Sequence, residues 1–317
     1  MEQHNDLSLQ KSRSAGACIK AGVSLYLSNF RKIFRQTWIA ALLWAVASVV
    51  VGTISVTTFP QIMAFASAPA GGDVASWLVA MEIVYAILSL ISLAALVLLT
   101  GTGLAVLSQH AGQGAISQPT RIFAFDRTII WRTIKAAVML VVIEIIVCIC
   151  LSLLMVALMM LMGRGAGLGL AMVIFLIVLI LLLPIEYVLI KYVISRSGSL
   201  LRHLSDGYPR GLRHLGLIFL VMLVTEILVM LVMLVIGLPA FILASANIMA
   251  YGGTLMGDPL GMPGYILALT AVTMFISGFI QAYVFLMALF PAYYMYGSIE
   301  QQETERIEAI RAIGKQQ

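Results

Sequence analysis

The sequence predicts an all-α polytopic membrane bundle of six transmembrane helices, on three observations. Hydrophobic residues make up 62% of the 317 and charged residues only 10%, far outside the globular range. Six apolar stretches divide the chain, each with the roughly 20 residues that a bilayer core requires. The 19 Lys and Arg residues fall on alternate connections, 18 against one. Positive charge beside span ends is retained on the cytoplasmic side, which puts both termini there.

The cations follow the chain in order. Lys11, Arg13, Lys20, Arg31, Lys32 and Arg35 precede the first span, and the connection from Phe59 to Asp73 has none. Arg121, Arg127, Arg132 and Lys135 lie before the third span, and Arg164 alone sits in the turn after it. Lys191, Arg196, Arg202, Arg210 and Arg213 lead into the fifth, Ala246 to Gly264 has none, and Arg306, Arg311 and Lys315 close the chain. The net charge of +5 is thus explained by topology and anionic inner-leaflet lipid, with no nucleic acid implied.

The expected spans are Thr37–Thr58, Val74–Leu107, Ala136–Met162, Ala166–Ile190, Leu215–Ser245 and Tyr265–Tyr296. Helix is the open-ended element that pairs all its backbone groups in lipid. Spans three and four, joined by Gly163-Arg164-Gly165, form an antiparallel hairpin. Trp38, Trp77, Tyr293, Tyr294 and Tyr296 fit interfacial belts. The organisation expected is a polar N-terminal tail over 1–15, one six-span domain over 16–300 and a cytoplasmic C-terminal tail over 301–317. The first sixteen residues are polar, so the first span is expected to target and anchor the chain in a cell (inner) membrane.

One unit looks to be used three times, over 16–112, 117–197 and 198–300. Each is a basic segment, a span out, a turn and a span back. The inner ends align as Phe34-Arg35-Gln36-Thr37-Trp38, Trp131-Arg132-Thr133-Ile134-Lys135 and Leu212-Arg213-His214-Leu215-Gly216. Glu144 follows its arginine by twelve residues and Glu226 by thirteen, where the first unit has Ala47 and Ser48. The return spans of units two and three share an inner-end proline, Pro184 and Pro291.

The segments before the spans carry a helical apolar stripe. Ile19, Val23, Tyr26, Leu27, Phe30, Ile33 and Phe34 recur at steps of three and four, as an interfacial helix on the inner leaflet requires. The second unit has Ile122, Phe123, Phe125, Ile129, Ile130 and Trp131, with a start at Thr120 or at Ser117 beside Pro119; Gly207 and Pro209 are expected to break the third. A binding surface for a partner protein is the other reading of these stripes.

Three such segments, each feeding a helical hairpin, with the opening Leu27-Ser28-Asn29-Phe30-Arg31, resemble a known family. The likeness is to the six-span membrane domain of membrane-anchored glycerophosphodiester phosphodiesterases and to related standalone bacterial membrane proteins of unknown function. It implies a membrane module without chemistry of its own, since the phosphodiesterase active site belongs to a separate soluble domain.

Glu144 and Glu226 are the leading candidates for an intramembrane polar site, with Glu186 near the inner end of span four. At about 1.5 Å per residue the first two lie roughly 12–18 Å deep. An acid there faces the bundle interior unless protonated or paired. Two at one depth suit a cation or proton site; the alternative is a structural tether between helices. Lys191 is expected to snorkel, Glu186 to pair with an arginine of another unit, and Glu82 to reach the outer headgroups. Lys20, Arg31, Lys32, Arg35, Arg132 and Arg213 are the candidate contacts for anionic headgroups.

Other features carry less. Gly163, Gly165, Gly167 and Gly169 lack the strand of a phosphate loop. Thr100-Gly101-Thr102-Gly103 reads as a close helix contact, and Gly237 with Pro239 marks a kink. Cys148, Cys150 and the methionines of spans three and five read as apolar filling, with no metal and no cofactor expected. His4, His110, His203 and His214 are too few for a histidine-rich oxygenase. Gly257-Asp258 lies in an outer loop, away from any intramembrane protease chemistry. The expectation is a non-enzymatic membrane module that organises lipid or a partner protein at the cytoplasmic face. The alternative is a small carrier coupled to protons or cations through Glu144 and Glu226.

Overall fold

With 62% of its residues hydrophobic, the chain folds as helix over most of its described residues, the element that satisfies its own backbone. The computed structural model describes residues 8–67, 72–116, 126–255, 257 and 263–314. In order come α1 (Ala15–Ser28), α2 (Phe30–Ser67), α3 (Gly72–Gln113), α4 (Arg127–Met162), α5 (Arg164–Leu182), α6 (Pro184–Ser195), α7 (Leu200–Arg213), α8 (Leu215–Leu255) and α9 (Tyr265–Gly314). No strand occurs among the described residues.

Among the described residues six segments are long and apolar enough to cross a membrane: Phe30–Thr58, Val79–Gln113, Arg127–Met162, Arg164–Ser195, Leu215–Thr254 and Tyr265–Ile313. The chain is a multi-pass membrane protein. The hydrophobic window of the third span has none of its residues buried, as expected of a surface solvated by lipid. The helices overrun the apolar stretches, because nothing stops a helix until a cap or a turn residue does. The expected connections after spans one and five therefore shorten, since α2 continues to Ser67 and α8 to Leu255.

Local chemistry sets the helix boundaries. The Asp126 carboxylate caps α4, accepting from the backbone N–H groups of Thr128 at 3.0 Å and Ile129 at 3.4 Å. Gly163, at φ 81°, makes the one-residue turn between α4 and α5. Pro184 ends the i→i−4 ladder and begins α6 as its first residue, where a missing N–H costs nothing. The proposed starts at Ser117, Pro119 or Thr120, the stripe residues Ile122, Phe123 and Phe125, Arg121, Asp258 and the Trp77 side chain lie outside the described residues.

The chain divides into two compact units, one of Met1–Ile33, Gly101–Glu226 and Met287–Gln317, the other of Phe34–Thr100 and Ile227–Leu286. The second is an apolar helix cluster with small-residue contacts. Gly278 lies against Ser48 and Ala45, and Phe34 stacks on Tyr283 with centroids 5.3 Å apart. The Ser277 hydroxyl donates to the Ile236 carbonyl at 3.2 Å, three residues before Pro239 inside α8, so α9 supplies a side-chain donor there.

In the first unit the short helices depart from expectation. α1 and α7 have fourteen residues each, and a single residue, Asn29 or His214, separates each from the long helix that follows. Against expectation, Gly207 and Pro209 do not break α7. Gly207 and Gly211 face α6, where a Cβ on Gly211 would stand 2.8 Å from the Pro184 Cβ. Packing overrides the weak local propensity. α1 docks in the same way, Gly22 lying against the backbone of Phe290 and Pro291. Its buried face is Cys18, Gly22, Leu25 and Tyr26. Ile19 and Val23 of the expected stripe are half-buried, while Leu27 and Phe30 remain exposed.

Arg13 packs against the last helix, while residues 304–313 at the far end of α9 are exposed. The Arg13 backbone N–H donates to Ser298 Oγ at 2.9 Å, and its guanidinium lies 4.9 Å from the Tyr294 ring centroid. Tyr293 and Tyr294 are fully buried, so they are core residues of this unit rather than an interfacial belt. Gly101 fits as expected, against Ile130 and Thr133 of α4.

Candidate functional site

Three helices of the first unit bring the candidate acids together. Glu144 is on α4, Glu186 in the first turn of α6 and Glu226 on α8. At about 1.5 Å per residue, they lie roughly 18 Å beyond Arg132, 13 Å before Ser195 and 16 Å beyond Leu215. The Glu186 carboxyl lies within electrostatic reach of both Glu226 and Glu144. Glu186 is half-buried and the other two are exposed on the unit's surface. Among the described residues no cation pairs with any of the three, so the expected arginine partner of Glu186 is not there. Nor do His, Cys, Asp or Glu among the described residues group in a way that holds a metal ion.

Lys191 is committed elsewhere. Its ammonium lies 2.5 Å from Glu300 Oε1 on α9, and the Tyr187 hydroxyl donates to the same oxygen. With a side chain only 16% exposed, Lys191 cannot snorkel as expected. Glu303, assigned to a solvated tail by its sequence, is buried. It accepts from His214 Nε2 at 3.1 Å, with Arg213 Nη1 at 3.7 Å and Arg306 Nη1 at 3.8 Å. Beyond its i,i+3 neighbour Arg306, its partners come from the α7–α8 junction about ninety residues away, which local sequence does not signal.

The six candidate headgroup cations separate into different roles. Lys20, Arg31 and Arg35 are exposed. Lys32 donates from Nζ to the Ile116 carbonyl at 3.0 Å, and Arg213 is about half-exposed beside Glu303. Arg132, expected as a headgroup contact, is instead buried as a structural clamp. Its Nε and Nη2 donate to the Tyr192 carbonyl at 2.9 and 2.6 Å, and Nη2 donates to that of Ser197 at 2.8 Å. Its guanidinium carbon stands 3.9 Å from the Tyr192 ring centroid.

Beside that clamp is an open groove of about 900 Å³, lined from α4, the end of α6 and the start of α7. Arg127, Trp131 and Lys135 recur at steps of four along one face of α4, and the Lys135 ammonium lies 5.6 Å from the Trp131 ring centroid. Leu200 and Leu201 make the facing wall. In the sequence Arg127 and Lys135 stand out only as topological charge. The missing signal was long-range, the return of α7 beside α4.

Comparison with known protein families, characterised proteins and solved structures returns no match.

Proposed function

We propose that this chain is a non-enzymatic six-span module of the cell (inner) membrane, with both termini cytoplasmic, that organises anionic lipid or a partner protein at its cytoplasmic face. The observation that carries the reading is the occurrence of exposed cations together with exposed apolar side chains on the first unit. Lys20 and Arg31 are exposed beside Leu27, 64% exposed, and Phe30, 41% exposed. Such surfaces seat their apolar side chains at the acyl boundary and hold anionic headgroups with their cations. The likeness to the six-span domain of membrane-anchored glycerophosphodiester phosphodiesterases is consistent with that role and is part of the proposal.

The test is thermal unfolding of the detergent-solubilised protein titrated with phosphatidylglycerol or phosphatidylcholine. Phosphatidylglycerol should raise Tm more, and the Lys20→Gln, Arg31→Gln double variant should lose part of that difference, at about 1 kcal/mol per cation removed. Equal gains from both lipids would overturn the reading.

A second reading, a carrier coupled to protons or cations, draws on the approach of Glu144, Glu186 and Glu226 within one unit. Three unpaired acids at span depth are costly unless they share a proton, a cation or water. Proteoliposomes with wild-type protein should then carry a proton or cation flux that the folded Glu144→Gln, Glu226→Gln variant abolishes. Absence of flux from wild type removes the carrier reading.

A further inference from the structure

We propose that the groove between α4 and the α6–α7 connection is a site for one anionic phospholipid, whose phosphate lies between Arg127 and Lys135, beside the buried charge of Arg132. This rests on the lipid-organising reading above and names the residues that would carry it. Three cations line the groove, and among the described residues none has a carboxylate within ion-pair distance. Asp126, the nearest acid in sequence, is engaged with Arg196 at 2.9 Å and with the cap of α4. Arg132 is the telling one. Its donors serve carbonyl oxygens and its face covers an aromatic ring, yet its full positive charge is buried and balanced by no anion of the described protein. Burying an unbalanced charge is costly, and an anion in the groove offsets that cost.

The geometry favours a lipid over a free anion. The groove lies where spans three and four end, the level at which headgroups sit. Trp131 is 57% exposed and Leu201 74% exposed. A phosphate ion covers neither, whereas a phospholipid lays its glycerol beside the indole and its acyl chain along Ile134 and Leu201. The first three N–H groups of α7 have no partner within the helix, and Leu200 and Leu201, which carry two of them, line the groove beside the cations.

The test uses the full chain with Trp38, Trp44 and Trp77 changed to Phe, so that Trp131 is the only fluorophore of its kind. It is reconstituted with brominated phosphatidylglycerol or brominated phosphatidylcholine as quencher. Brominated phosphatidylglycerol should quench Trp131 at a tenfold or lower mole fraction than brominated phosphatidylcholine. The Arg127→Gln, Lys135→Gln variant, altered at two exposed positions, should erase that preference; two cations account for roughly a tenfold to thirtyfold affinity difference. The Lys20→Gln, Arg31→Gln variant should keep it. If phosphatidylglycerol still raises Tm selectively while Trp131 shows no preference, the groove is refuted and the broader lipid reading survives. If neither selectivity is seen, both fail together.

Discussion

Gly22→Val should release α1 from the last helix and raise the reaction rate of Cys18 with a soluble maleimide about a hundredfold. The mechanism is steric. A Cβ on Gly22 would stand 2.7 Å from the Phe290 carbonyl carbon and from Pro291 Cα. Both are backbone atoms, which cannot swing aside as a side-chain tip does. Pro291 holds the approach rigid, because its ring fixes φ. Cys18 lies on the docked face with no solvent exposure. Burial pushes its thiol from 9.0 up to about 11, against the opposing pull of Arg13. At pH 8 the docked thiol is about a hundredfold poorer in thiolate than a free one, and the thiolate is the nucleophile.

The same shift has a pH signature. A folded-state pKa above the unfolded value contributes stability that is fully present below about 9 and is lost as pH rises toward 11. Docking of α1 should therefore weaken across that window. A Cys148→Ser, Cys150→Ser background isolates the Cys18 signal, and near-native helicity by circular dichroism separates undocking from global unfolding. A maleimide rate unchanged in Gly22→Val would mean that α1 does not depend on this contact.

What the sequence disclosed and what it concealed divide by the range of the interaction. All six spans were legible, because apolar length is a local property and the bilayer fixes its threshold. The Gly163 turn was legible for the same reason. α7 was misjudged, since Gly207 and Pro209 argue against helix locally and only the contact with Pro184 and Val188 shows why glycine is wanted there. Tyr293 and Tyr294 looked like interfacial anchors because sequence cannot distinguish an aromatic belt from an aromatic core. Their partners, His110 for Tyr293 at 3.0 Å and Arg13 for Tyr294, come from distant segments.

The acids are an intermediate case. Depth follows from counting residues, so Glu144 and Glu226 were placed at similar levels from their arginines. Their shared proximity to Glu186 depends on the rotation of three helices, which counting does not supply. α1 and α7 share one mode of docking. α1 rests a glycine on Pro291 of the sixth span, and α7 rests one on Pro184 of the fourth. In both cases a fourteen-residue helix uses the absence of a side chain to seat itself on a proline-marked return helix.

Arg132→Lys should destabilise the protein by about 3 kcal/mol although it preserves the charge. The guanidinium spans two separated acceptors at once, the Tyr192 carbonyl through Nε and Nη2 and the Ser197 carbonyl through Nη2. A lysine ammonium is a single point on a flexible stem. It can serve one of these positions but cannot reproduce the fork, and it loses the flat face that lies on the Tyr192 ring. The carbonyl left behind is in a tight connection where Arg196 adopts φ 55°, a left-handed conformation that a non-glycine residue holds only when its surroundings fix it. Freeing that connection detaches the start of α7 from α4 and with it one wall of the groove. Arg132→Met completes the comparison. If the fork is what matters, Lys and Met variants should lose similar stability in thermal unfolding. If charge alone matters, Arg132→Lys should unfold at the wild-type temperature, and the clamp would have to be reassigned as a simple counter-charge to whatever anion the groove admits.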